Sequence, residues 1–141
     1  MKPLLTYRGL VYPWHCDHMG HMNVMWYVGK FDEGTWNLLA AIGITPTYLR
    51  ETRNRTVAVQ QNITYKRELL AGAVVEVWSH IVSLSERKII FAHEMRDAEN
   101  GEVCATCELT GVHTDYATRR ASPFPRDIRA RAQALLNADV G

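Results

Sequence analysis

The chain has 141 residues, 47% hydrophobic and 22% charged, a length and balance that suit one hydrophobic core and exclude the low-hydrophobicity, high-charge composition of disordered chains. Its formal charge is +1, and its basic residues are dispersed apart from Arg119-Arg120 and the arginines of the tail, which argues against nucleic acid as a partner. No apolar run approaches the roughly 20 residues of a membrane-spanning helix, Met1-Lys2-Pro3 leads straight into a strand-like segment, and the cysteines (Cys16, Cys104, Cys107) are odd in number. The expectation is a cytoplasmic protein with free thiols and no membrane partner, forming a single domain over residues 1–141.

Leu4 to Tyr12 reads as a strand ended by Pro13. A polar stretch follows, His15-Cys16-Asp17-His18-Met19-Gly20-His21-Met22-Asn23. From Val24 the apolar positions Val24, Tyr27/Val28, Phe31, Thr35, Leu38/Leu39 and Ile42 recur every three or four residues, the period of a helix face. Asn23 suits the N-cap, because its side-chain oxygen can accept from the free N–H groups of the first turn, and Gly43 suits the stop. A linker of about ten residues containing Pro46 leads into segments that alternate with period two. Val57, Val59, Ile63 and Tyr65 fall on one face of the first, with Gln61 an exception in the apolar row, before a turn at Ala71-Gly72. Ala73 to Leu84 carries apolar residues on both faces, as a central strand does. Lys88 to Arg96 is the next strand, and Asn100-Gly101 marks a hairpin into Glu102 to Tyr116. Pro123 and Pro125 break the pattern before a C-terminal helix over Arg126 to Ala138. Short turns make neighbouring strands antiparallel, and the long helix has only the sheet to bury itself against. The fold class is therefore α+β, an antiparallel five-stranded sheet wrapped around one long helix with a short C-terminal helix. One layer of sheet covers one side of the helix, which points to self-association.

Three readings compete for the polar stretch. In the first it is a solvated loop that turns at Gly20 and caps the helix through Asn23. In the second it binds a metal, since His, Cys and Asp are metal ligands; but adjacent side chains do not converge easily, and Cys104 and Cys107, three apart in a strand, point to opposite faces. In the third the helix N-terminus stabilises an oxyanion forming on a carbonyl, and Asp17 acts beside it as nucleophile or as base for water. An activated acyl group such as a thioester suits that arrangement, because a thiolate leaves readily.

The pattern Asp17-x-x-Gly20-His21-x-Asn23-x-x-x-Tyr27, with Phe31 and Glu33 following on the helix, resembles the hotdog-fold acyl-CoA thioesterases of the 4-hydroxybenzoyl-CoA thioesterase-like family. The likeness runs over nearly the whole chain, from the first strand to the Pro123-x-Pro125 exit. It implies that Asp17 is the catalytic carboxylate and that backbone N–H groups of Val24, Met25, Trp26 and Tyr27 bind the oxyanion. It further implies that Asn23 caps the helix and holds the loop, and that His21 positions the loop or touches substrate. Glu33 matches a helix position that carries the catalytic acid in another branch of the superfold; with Asp17 present it reads as secondary, a partner for His21 or Lys30. The difficulty of converging consecutive ligands leads to the expectation of no metal, and no cofactor is expected beyond the coenzyme A of the substrate. It also implies a homodimer or homotetramer with the acyl pocket at the interface, and phosphate contacts at Arg87, Lys88, Arg119 and Arg120, whose plain alternative is solvated surface charge. Four tryptophans, two of them flanking Asp17, point to an acyl pocket of Trp14, Trp26 and Tyr27 for an aromatic acyl group or a quaternary ammonium. The longer string "VYPWHCDHMGHMNVMWYVGKFDE" is similar to thioesterase domains associated with bacterial carnitine breakdown, which implies a betainyl thioester. The competing classes are a non-catalytic acyl-CoA-binding hotdog module, for which a carboxylate beside a helix terminus has no use, and a hotdog dehydratase, which uses a different, histidine-based motif.

Overall fold

A computed structural model describes residues 1–138; the last three positions of the expected domain, 139–141, lie outside the described residues. Strand β1 (Leu4–Leu10) is followed by a single 3-10 turn at Pro13–His15, helix α1 (Val24–Ala41) and helix α2 (Pro46–Thr52). Strands β2 (Arg55–Tyr65), β3 (Val74–Leu84), β4 (Lys88–Asp97) and β5 (Val103–Thr114) come next, then helix α3 (Arg126–Asn137). The strands form one antiparallel sheet in the order β1-β3-β4-β5-β2, which leaves β1 and β2 at its edges.

The sheet curves around α1 because the buried rows of its strands meet the buried stripe of that helix. Phe31, Leu38 and Leu39 of α1 and Ile42 just past its end join Val75, Val77 and Ile81 of β3 and Ile89, Phe91 and Met95 of β4 in the core. Each such side chain contributes about 1.5–3 kcal/mol on burial. Ile128 and Ala132 of α3 extend this core. Helix and sheet come close at Gly34, where a Cβ would stand 3.0 Å from Thr6 Oγ1 and 3.1 Å from Val77 Cγ1.

Beside Gly34 a chain of buried polar groups ties α1 to the sheet. Thr35 Oγ1 donates to the Phe31 carbonyl, so it accepts from His93 Nε2 at 2.9 Å, and His93 Nδ1 is then left to accept from Ser79 Oγ, which also bonds Thr6 Oγ1 at 2.6 Å. That proton assignment follows from the network. Burial, with a smaller push from His80, lowers the His93 pKa to about 4, so the ring is neutral near pH 7.

Several details differ from the sequence reading, among them the last strand, read to Tyr116, which ends at Thr114. The linker contains helix α2: Thr45 caps it by accepting from Tyr48 N, and Pro46 occupies the first turn, but seven residues are too few to show a helical period. Strand β1 stops at Leu10, two residues early, because the chain turns through Pro13–His15. Strand β2 carries a bulge between Ala58 and Gln60, which puts Val59 out of step, and Val57, Val59 and Tyr65 are exposed rather than a core row, because β2 is an edge with nothing beyond it.

Candidate active site

Residues 15–23 close on themselves before α1 begins. Asp17 N donates to the His21 carbonyl, Gly20 N to the Asp17 carbonyl, and Asn23 N to the His15 carbonyl, while Met22 N reaches Leu69 O at 2.7 Å. Gly20 sits at φ 89°, a conformation that admits glycine without strain, so the turn needs it. Met22, 1% exposed, anchors the loop in the core.

Within this frame the Asp17 carboxylate is held at two points. Oδ1 accepts from Met19 N at 2.8 Å and Oδ2 from Asn23 Nδ2 at 2.8 Å. The Asn23 side chain, followed by the Met19 amide, holds the carboxyl below the usual Asp range, with His21 and His18 adding a little. Asp17 is therefore an ionised, fixed and solvent-reachable carboxylate. The same Asn23 caps α1, its Oδ1 accepting from Met25 N at 2.9 Å. One amide thus couples the carboxylate to the positive end of the helix.

The first turn has fewer free donors than the sequence reading assigned. Met25 N–H is taken by Asn23 Oδ1 and Trp26 N–H by the Asn23 carbonyl at 3.0 Å, while Tyr27 stands where the intrahelical ladder begins. Among the described residues Val24 N–H has no protein acceptor, so of the four expected oxyanion donors Val24 is the one that is open. His21 donates from Nδ1 to the Met22 carbonyl, and its Nε2 lies 3.8 Å from Glu68. Glu33 forms no ion pair with His21 or Lys30 among the described residues.

Val24 lines a cavity of 360 Å³ with His21, Tyr27, Tyr65, Lys66 and Arg67. Tyr27 is buried, packs edge-on against Tyr65 and donates its hydroxyl to the Arg67 carbonyl; burial pushes its pKa up to about 12, so it stays a phenol. The expected acyl pocket of Trp14, Trp26 and Tyr27 is not one pocket. Trp14 and Trp26 line a separate cavity beside β1, because successive residues of a helix point to different sides.

Arg87, Lys88, Arg119 and Arg120 are all exposed. Arg119 lines a 230 Å³ cavity with Arg53, Arg55 and Tyr116. Arg53 and Arg119 are the two non-glycine residues with positive φ among the described residues, 59° and 58°, and Arg53 lies over the Tyr116 ring. The sequence reading missed Arg53 and Arg55, which are far from Arg119 in the chain and join it through the pairing of β2 with β5. No group of three or more His, Cys, Asp or Glu side chains is placed to hold a metal ion, and no helix is long and apolar enough to cross a membrane, among the described residues.

A carboxylate fixed beside a helix terminus, on a five-stranded antiparallel sheet wrapped around that helix, is the setting in which the comparisons with known proteins fall. Residues 11–132 match the family model described as the Thioesterase-like superfamily, and the chain belongs to that family. It is 25% identical over 135 residues to the betainyl-CoA thioesterase of Pseudomonas aeruginosa, covering 96% of this chain and 85% of that one. It is 27% identical over 119 residues to the L-carnitine dehydrogenase/betainyl-CoA thioesterase of Rhizobium meliloti, covering 84% of this chain and 24% of that longer protein. Among solved structures, a hypothetical protein from Staphylococcus aureus in complex with CoA superposes with a TM-score of 0.89 at 19% identity, covering 96% of this chain and 86% of that one; at that identity the likeness shows the hotdog fold.

Proposed function

We propose that the protein hydrolyses an acyl-CoA thioester with Asp17 as the catalytic carboxylate. The observation that carries the reading is the Asp17–Asn23–Met25 chain of hydrogen bonds, which aims an ionised carboxylate at the mouth of a helix whose Val24 N–H is open. As general base, Asp17 takes a proton from water while the oxygen adds to the thioester carbonyl. The charge that forms on the carbonyl oxygen is met by Val24 N–H and the helix dipole. Collapse breaks the C–S bond, and the CoA thiolate receives the proton from Asp17. As nucleophile, Asp17 itself adds to the carbonyl and expels the thiolate, and water then cleaves the resulting anhydride. Single turnover in heavy-oxygen water separates the two, since label in the Asp17 carboxylate marks the anhydride route.

Betainyl-CoA is the proposed substrate, supported by the activities named for the two relatives. Tyr27 and Tyr65 beside Val24 offer ring surface to the trimethylammonium group, an attraction of about 0.5–2 kcal/mol. Hydrolysis of betainyl-CoA should exceed that of a tert-butylacetyl thioester, which has the same shape without the charge, and of benzoyl-CoA. A preference for benzoyl-CoA would make this an aromatic acyl thioesterase instead.

The working unit in this reading is a homodimer or larger homo-oligomer. Edge strand β2 exposes Val57, Val59 and Tyr65, and α1 exposes Val24, Val28 and Trp36, so a second copy has both a strand edge and apolar surface to cover. Antiparallel pairing of two β2 edges about a two-fold axis sets the Arg55 end of one strand beside the Tyr65 end of the other. The Arg53, Arg55 and Arg119 cavity of one copy would then serve the CoA phosphates of a thioester bound at the Asp17 site of the other.

A further inference from the structure

Between β1 and the N-terminal half of α1 lies a cavity of 790 Å³ that the hydrolytic reading leaves unused. Its lining includes Lys30, which is 3% exposed. Lys30 Nζ donates to Tyr7 Oη at 3.0 Å and to the Leu10 carbonyl at 3.1 Å, and no ion pair among the described residues includes it. The Tyr7 ring lies 5.3 Å from Nζ and offers the ammonium a π face, but an ammonium has three donors, so one has no lone-pair acceptor in the protein, and the charge is buried without a counter-charge in contact. Burial accordingly lowers the Lys30 pKa, against a weaker opposing pull from Glu33. A position needed only for packing would be served by Met or Leu at less cost. The missing acceptor and the missing charge are both those of an anion.

The remaining lining narrows the anion. Tyr12 and Trp14 stack face to face with centroids 4.5 Å apart, and they are 42% and 66% exposed, so large ring surfaces are left open to the cavity and solvent. Trp26 is held by stacking on His15 at 4.0 Å. Glu33, exposed and one helical turn on from Lys30, adds a carboxylate to the same cavity. An ammonium, ring faces and a carboxylate in one cavity complement a molecule with the opposite charges, a carboxylate at one end and a cationic nitrogen at the other.

We propose that this cavity binds a small free zwitterion, its carboxylate on Lys30 and its quaternary or other cationic nitrogen against Trp14 and Trp26 beside Glu33. A thioester has no carboxylate to give Lys30, so the site selects a free acid over its CoA ester. It is a second site, separate from the one that holds the scissile carbonyl, and it stands whether or not Asp17 is the hydrolytic group. With a betainyl thioester as substrate, the proposed function makes the released acid itself such a ligand.

Titration of the full-length protein with glycine betaine, followed by tryptophan fluorescence and calorimetry, tests the assignment. Betaine should bind saturably, at least tenfold more tightly than tert-butylacetate, which lacks the cation, or choline, which lacks the carboxylate. Lys30→Met should weaken betaine and tert-butylacetate alike by at least tenfold, and Glu33→Gln should weaken betaine alone. Trp14→Ala removes an exposed ring without touching the core, so it keeps the test valid if Lys30→Met fails to fold, and it should cost betaine at least tenfold. Asp17→Asn should bind betaine as the wild type does, which separates this site from the hydrolytic one. The proposal is overturned by absence of saturable binding, by binding that survives Trp14→Ala, by equal affinity for tert-butylacetate, or by loss of betaine binding in Asp17→Asn.

Discussion

Asp17 and His93 are both polar groups held from two sides, yet their surroundings give them opposite chemical states. The partners of Asp17 are donors that favour its charged form and leave it open to solvent. The partners of His93 are hydroxyls inside a core that favours the neutral ring, and the residue is 1% exposed. Full hydrogen bonding therefore does not mark function by itself. What separates the two is the charge state that the partners stabilise and whether a ligand can reach it.

The comparison is broken most directly at Asp17. Asp17→Asn should lower kcat by about two to four orders of magnitude while thermal unfolding stays near that of the wild type, as removal of a base or nucleophile from a loop does. Near-normal turnover of the best substrate by Asp17→Asn would end the assignment. At His93 the effect should fall on stability. His93→Ala leaves Ser79 and Thr35 without their buried partner and should cost about 3 kcal/mol by denaturant unfolding, with little change in kcat for the protein that folds.

His93 also gives stability a pH dependence whose sign follows from its lowered pKa. Below the ordinary value of 6.5 the unfolded chain takes up a proton that the folded ring, at about 4, refuses. The contribution is complete above about pH 6.5 and is lost as pH falls from there to about 4, about 3 kcal/mol in all. Unfolding curves between those limits should show this slope in the wild type and a shallower one in His93→Ala, where His15 and His113, both lowered by burial, still contribute; an equal slope in both would place the titration elsewhere.

Legibility followed locality. The nine residues around Asp17 are consecutive, so the capping Asn23, the turning Gly20 and the carboxylate could be read together, and α1 announced itself over 18 residues of helical period. The His93 network draws Thr6, Thr35, Ser79 and His93 from four separate elements, and nothing in the local pattern of any one of them marks it. The Arg53, Arg55 and Arg119 cavity was hidden in the same way, by strand pairing. Trp14, Trp26 and Tyr27 show the converse: nearness in sequence suggested one pocket, and the turn of the helix divided them between two.

Strand β2 supplies an intermediate test, because its open edge belongs to the proposed shared site and not to the fold of one copy. Val59→Asp puts a charge on the exposed bulge of that edge and should shift the protein from dimer toward monomer by light scattering, with activity falling in proportion. A monomeric variant with full activity would show that each copy carries a complete site.

The smallest expected effect is the most discriminating, because Asn23 serves the helix and the carboxylate with different atoms. Its Oδ1 caps α1 and its Nδ2 holds Asp17. Asn23→Ser keeps a side-chain oxygen for the cap, so stability should change by only a few tenths of a kcal/mol, whereas Asn23→Ala, which loses both atoms, should cost about 1 kcal/mol. Ser is too short to reach Asp17 as the amide does. The variant should then lose roughly tenfold in kcat with KM little changed, since a misaimed base weakens the transition state more than substrate binding. The side chain of Asn23 is also the main cause of the low Asp17 pKa, so its loss must raise that pKa. In the proposed mechanism hydrolysis requires the ionised carboxylate, so the acid limb of the pH profile for kcat/KM should move to higher pH in Asn23→Ser. An unmoved acid limb with a tenfold lower rate would mean that Asn23 acts on geometry alone, and a stability loss equal to that of Asn23→Ala would mean that the cap had not survived the exchange.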